Sequence, residues 1–147
     1  MPNIPIVSRP LDNVNGFRVQ NFDTRVLLVD SGACRDVTLT NDIVKTDVDM
    51  YVDGEVNGVG GLDTGALAVD TFYAVYVIGD STGYQETAAI MSLNFFDGPL
   101  LPFGYDMFRR IGVCKTESGS TAIKPMATVG NGLVKRVWWE TDRDWET

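Results

Sequence analysis

Histidine is absent from this 147-residue chain, and with it go the commonest general base and the commonest metal ligand. Ser-His-Asp and Cys-His catalytic sites and zinc-hydrolase centres are excluded on inventory alone. Cysteine is scarce: Cys34 and Cys114 stand far apart with no CxxC spacing, which predicts buried free thiols rather than a disulfide framework or a metal site. Long hydrophobic runs are also missing. No stretch approaches a membrane span, and Met1 to Pro10 has no apolar run of signal-peptide length, so a cytoplasmic origin and no membrane partner are expected. Bases are nearly missing from the middle of the chain, where Asp36 to Asp106 holds twelve acids and one base, Lys45. With a net charge of -8, such a field repels phosphate backbones and argues against a nucleic-acid partner. Bases return at Arg109, Arg110, Lys115, Lys124, Lys135 and Arg136. This asymmetry has two readings: acids that keep a β-rich surface soluble, or a polar chain whose basic end meets an acidic patch on its neighbour.

What is present is ordinary globular composition, 44% hydrophobic and 22% charged, at a length that suits one domain with its own core. Prolines at 2, 5 and 10 keep the first residues out of helix, so 1–16 reads as an extended N-terminal arm whose Ile4, Ile6 and Val7 can lie against another surface. Beyond it, short runs rich in Val, Ile, Thr, Phe and Tyr alternate with Gly, Asn and Asp clusters. The expected strands are Phe17 to Phe22, Arg25 to Val29, Asp36 to Val44, Thr46 to Val52, Thr71 to Ile78, Glu86 to Leu93, Met107 to Lys115, Thr121 to Thr128 and Leu133 to Trp139. Val48, Met50 and Val52 alternate with Asp47, Asp49, Tyr51 and Asp53, the pattern of a strand with one wet face. Phe72 to Ile78 is apolar on both faces and reads as a central strand. Gly79 to Gly83 and Glu117 to Ser120 have hairpin-loop lengths. The link from Leu62 to Val69 has room for one short helical turn. The reading is all-β, a β-sandwich or jelly roll with a barrel as second choice, with the sandwich over 17–140 and an acidic tail over 141–147.

The remaining chemistry is carboxylate chemistry. Paired acids could hydrolyse glycosides, but acids are abundant in any negatively charged domain and no pair is singled out. Asp47 to Glu55 is dense in acids, yet counted from Asp47 the fifth position is Tyr51, glycine falls eighth rather than sixth, and the twelfth is Gly58 instead of Glu. The EF-hand template fails, and a solvated strand face is the better account. A calcium site in the Asn57 to Asp63 loop has nothing to support it. Gly58, Gly60 and Gly61 have no Lys-Ser/Thr after them and read as a turn rather than a phosphate cradle. No cofactor is expected. All three tryptophans lie in the last ten residues, beside Lys135 and Arg136. Arg136, Trp138 and Trp139 are therefore candidate interface anchors, the alternative being one Trp in the core and its neighbour on the other sheet face.

Three segments carry a resemblance: Ser31-Gly-Ala-Cys-Arg-Asp36, then Gly61-Leu-Asp-Thr-Gly-Ala-Leu-Ala-Val-Asp-Thr-Phe-Tyr-Ala-Val-Tyr-Val-Ile-Gly79, and Leu101-Pro-Phe-Gly-Tyr-Asp-Met-Phe-Arg-Arg-Ile-Gly112. In this order they resemble a β-rich module of tailed-bacteriophage virion proteins, found in fibre-like, baseplate-associated and head-surface proteins. The resemblance implies a virion structural role with no catalytic residues. It departs from the module at Trp145-Glu146-Thr147, where further strands are usual, and in the absence of a long fibre stalk. A small size favours a capsid decoration or cement protein, a homo-oligomer (dimer or trimer) on the outer face of the major capsid protein shell. Its Ile4, Ile6, Val7, Trp138 and Trp139 would bury apolar area against capsid or sister subunits. The second reading is a tail-fibre or baseplate-associated adhesin for a host receptor or glycan, with Tyr84, Phe95, Phe96, Phe103 and Tyr105 as stacking aromatics.

Overall fold

The computed structural model describes residues 14–131 and 134–139, with side chains described through Met126. The chain is all-β: the described residues form twelve strands and no helix. In chain order these are β1 (Val14–Gly16), β2 (Val19–Asp23), β3 (Val26–Val29), β4 (Gly32–Arg35), β5 (Asp42–Lys45), β6 (Met50–Asn57), β7 (Gly61–Leu62), β8 (Phe72–Gly79), β9 (Ala88–Ser92), β10 (Met107–Lys115), β11 (Met126–Asn131) and β12 (Val134–Trp139). A three-stranded sheet has the order β1-β4-β5, and a nine-stranded sheet, curled as a half-barrel, has the order β10-β8-β9-β7-β6-β3-β2-β11-β12.

Period-2 patterning decides which side chains enter the core. Leu27 and Val29 of β3 and Met50 and Val52 of β6 are buried, while Tyr51 between them faces solvent, as one wet face requires. The interior cluster draws Val14, Cys34 and Ile43 from the small sheet and Leu27, Val75 and Met91, among others, from the large one. Each such Val, Leu, Ile or Met side chain contributes about 1.5–3 kcal/mol on burial. Strand β8 lies between β10 and β9 and serves two cores at once. Tyr73, Val75 and Val77 join the interior cluster, whereas Ala74, Tyr76 and Ile78 join a second one on the sheet's outer face. The two-faced apolar pattern of this segment thus corresponds to two packing surfaces.

Several expected strands shift. The stretch from Asp36 to Val44 is not one strand: β4 ends at Arg35, the chain turns through 36–41, and β5 begins at Asp42. The cause is local. The Asp36 carboxylate accepts hydrogen bonds from Thr38 Oγ1 at 2.8 Å, Thr40 N at 3.2 Å and Asn41 N at 3.3 Å, and such side-chain bonds compete with a strand ladder. Strand β6 starts at Met50 rather than Thr46, leaving Val48 exposed in the preceding bend. Strand β11 starts at Met126, and before it only Ile123 bridges back, to Thr116. The Leu62 to Val69 link contains no helical turn; Ala68 N instead donates to Tyr73 Oη at 2.8 Å, tying the link to β8. Both expected hairpin loops contain turns, at 81–82 and 118–119, but only the first joins paired strands, β8 and β9. Across the second the chain makes one bridge, and β11 pairs with β2 and β12 instead of β10. Of the arm assigned to 1–16, residues 14–16 form β1, paired with β4, and 1–13 lie outside the described residues.

Strand β7 was not expected. Its two residues run parallel to both β6 and β9, and Gly61 fits because a Cβ there would lie 2.1 Å from the Val56 carbonyl oxygen. The position tolerates no side chain.

Candidate binding surface

The outer cluster on β8, β9 and β10 is roofed by the loop over 93–106. Ala74, Tyr76, Ile78 and Ile90 form its floor, and Phe95, Leu101, Tyr105 and Phe108 pack onto them. Tyr76 and Phe108 meet edge to face, centroids 5.8 Å apart, a favourable aromatic geometry. Polar ties fasten the loop at both ends. Tyr76 Oη donates to Asn94 O at 2.7 Å, and Asn94 Oδ1 accepts from Phe96 N and Asp97 N at 3.2 and 3.0 Å. Arg110 donates to Phe95 O at 2.9 Å, Leu100 N donates to Asp63 Oδ2 at 2.9 Å, and Tyr105 Oη donates to Glu86 O at 2.7 Å. Burial pushes the Tyr76 and Tyr105 phenols up from their ordinary range, so both act as neutral donors.

This anchoring divides the loop's apolar residues. Phe95, Leu101 and Tyr105 point inward, whereas Leu93, Phe96, Leu100 and Phe103 are 61, 88, 64 and 100% exposed. Gly98 makes the descent possible, with φ +97° and a Cβ position 2.5 Å from the Phe108 ring. A β-bulge between Arg110 and Gly112 lets Arg110 face outward opposite Tyr76 while Ile111 enters the interior, a re-aiming that bulges commonly provide. The Arg110 guanidinium then lies 6.0 Å from the ring centres of both Phe95 and Phe96.

A second loop, over 80–87, adjoins the first. The Asp80 carboxylate accepts from Thr82 Oγ1 at 2.7 Å, Thr82 N at 3.0 Å, Gln85 N at 3.0 Å and Tyr84 N at 3.1 Å. These bonds, those from Thr82 foremost, hold the carboxyl below its usual range. Ser81 N donates to Asp106 Oδ1 at 2.8 Å, and the Ser81 hydroxyl donates to Asp106 Oδ2. A Cβ on Gly104 would come within 3.1 Å of the Gln85 side chain, so the two loop tips lie side by side. Tyr84, 89% exposed, and Phe103 stand on these tips.

Of the five aromatics named from sequence, the structure separates Tyr84, Phe96 and Phe103, which are exposed, from Phe95 and Tyr105, which are packed. Leu93, Leu100 and Arg110 were not anticipated; the dense Pro, Gly and Phe of 95–104 was the signal for a long apolar loop. Ile4, Ile6 and Val7 lie outside the described residues. Arg136, Trp138 and Trp139 sit on β12 opposite Val129, Ala127 and Met126, at the end of the sheet order away from the roofed face.

The sites considered for other chemistry have structural duties. Asp63 accepts from Thr64 N and Leu100 N, and Asn57 Nδ2 donates to Leu62 O and Gly65 O, so the Asn57 to Asp63 loop is a clamp. Among the described residues no three Cys, Asp or Glu converge to hold a metal ion. Cys34 and Cys114 are buried and not joined in a disulfide, and burial pushes the Cys114 thiol up to about 12, far from a reactive thiolate. Comparison with protein-family models, with curated proteins and with solved structures found no match to this chain.

Proposed function

We propose that this chain is a structural, non-enzymatic component of a tailed-phage particle: a capsid decoration or cement protein that binds the outer surface of the major capsid shell. It would act there as a dimer or trimer bridging capsomers, in a particle assembled in the host cytoplasm. The observation that carries this reading is the apolar ridge of Leu93, Phe96 and Leu100, held out on a loop whose other half is packed and hydrogen-bonded. A pinned loop loses little conformational entropy when a partner covers it. Contacts that are modest one by one become substantial when repeated over a shell. Support also comes from where the resembling segments lie. Gly61 to Gly79 covers β7 and β8, and Leu101 to Gly112 covers the end of the roof loop and most of β10; they build the floor of this face, and the ridge residues lie between them in the chain. We take the fold to be a jelly-roll-like β-sandwich, on the strength of an interior cluster drawn from both sheets.

Co-sedimentation with capsid shells assembled without this protein tests the reading. Saturable binding, lost in a Phe96→Ser/Leu100→Ser double variant, is the expected result. Attachment to host cells with no attachment to shells would replace it with the tail-fibre or baseplate adhesin, a reading favoured by the exposure of Tyr84 and Phe103.

A further inference from the structure

The tips bearing Tyr84 and Phe103 differ from the ridge beside them. The ridge mixes Leu with Phe, whereas the tips present two aromatic rings among polar side chains: Ser81, Thr82, Gln85, Glu86 and Asp106. Both rings are almost fully in water, yet the backbone beneath them is fixed by the Asp80 and Asp106 carboxylates and by the bond from Tyr105 to Glu86 O. Exposed rings on a prearranged base bind with little ordering cost, since an aromatic side chain has few torsions to lose.

We infer that the Tyr84–Phe103 tip is a carbohydrate site that takes a neutral or amine-bearing sugar chain. A pyranose ring offers one face of C–H groups and a rim of hydroxyls. It needs a flat apolar platform bordered by donors and acceptors, and Gln85 and Glu86 supply that border, the Glu86 side chain being 88% exposed. Charge selects the sugar. Asp80, Glu86 and Asp106 surround the tip, and the base paired there is Lys45, 3.0 Å from Glu86. This excess of negative charge disfavours uronate, sulfate or phosphate groups and favours neutral or cationic ones. This site rests on the second, adhesin reading, which takes Tyr84 and Phe103 as stacking aromatics, and deepens it by naming the class of sugar; loss of host-cell attachment with sugar binding retained would separate the two.

Titration of the isotope-labelled full chain with three hexasaccharides tests the inference by NMR: N-acetylglucosamine hexamer, glucosamine hexamer and galacturonate hexamer. Shifts confined to 80–86 and 102–106 are expected with the first two and not with the third. Tyr84→Ala and Phe103→Ala should each weaken binding by on the order of tenfold, as for a central aromatic anchor. Neither exposed ring supports the core, so the variants should stay folded. Shifts with neither of the first two sugars, a preference for galacturonate, or unchanged affinity in the variants would overturn the site. Shifts of these same amides with empty capsid shells, and not with sugar, would assign the tip to the protein contact instead.

Discussion

The backbone N–H of Val37 donates to the carbonyl of Phe108 at 2.9 Å, and through this bond the turn between β4 and β5 attaches the small sheet to the edge of the large one. The Arg109 side chain adds a second stitch, donating to Arg35 O at 3.2 Å. The turn that offers Val37 is held by Asp36, which is only 4% exposed.

Asp36→Ala should therefore loosen the seam as well as the turn. Loss of hydrogen bonds to a buried carboxylate predicts about 2–3 kcal/mol of destabilisation, read as a lower midpoint in urea. Burial alone would raise the Asp36 carboxyl, but the bonds from Thr38, Asn41 and Thr40 outweigh it and the net shift is downward. A lowered folded-state value means that stability is present above the ordinary carboxylate range and is lost as pH falls through the folded value. Midpoints measured downward from neutral pH should fall less steeply in Asp36→Asn than in the parent chain; identical slopes would remove Asp36 from the acid response.

Two glycines should behave in opposite ways. Gly61→Ala drives a Cβ against the Val56 carbonyl and should cost about 3 kcal/mol or more, since backbone cannot move aside as a side chain can. Gly119, whose Cβ position meets nothing within 4 Å, should accept Ala with a gain of up to about 1 kcal/mol from a less free unfolded chain. Thermal melting of both variants reads the contrast directly.

On the roofed face, function and stability should separate. Phe96→Ser and Leu100→Ser change exposed residues and should leave stability within about 0.5 kcal/mol while weakening shell binding. Tyr76→Phe removes the bond to Asn94 O and should cost about 1 kcal/mol. It should also speed amide exchange in the roof loop.

The thiols give a probe of opening. At pH 8 an aromatic disulfide reagent should leave Cys114 unmodified in the native protein, because its thiol is buried and pushed up to about 12. Both cysteines should react on addition of denaturant. Rapid labelling of Cys114 without denaturant would contradict its place in the core.

The sequence showed the fold's periodic parts and hid its irregular ones. Strand β8 could be read because seven consecutive apolar residues leave few alternatives to a doubly covered strand, and β3 and β6 because alternation reports one wet face. The turn at 36–41 escaped notice because Val37, Thr38 and Thr40 favour strands by residue type, while the deciding contacts are made by the Asp36 side chain. Strand β7 escaped because a two-residue parallel contact has no period. At the candidate surface, aromatic content was visible from sequence, but which rings face outward was not. That choice depends on Gly98 passing over Phe108 and on the bulge that turns Arg110 outward, both of them tertiary events.

The order of strands also dictates a timetable. Strand β2 neighbours β11 in the large sheet, where Gln20 pairs with Ala127, so the edge at Gln20 must wait until Ala127 has been made. Until then β2 offers unpaired donors and acceptors to any passing strand. Pairings so distant along the chain close slowly, which makes the nascent chain, rather than the finished protein, the species most exposed to aggregation.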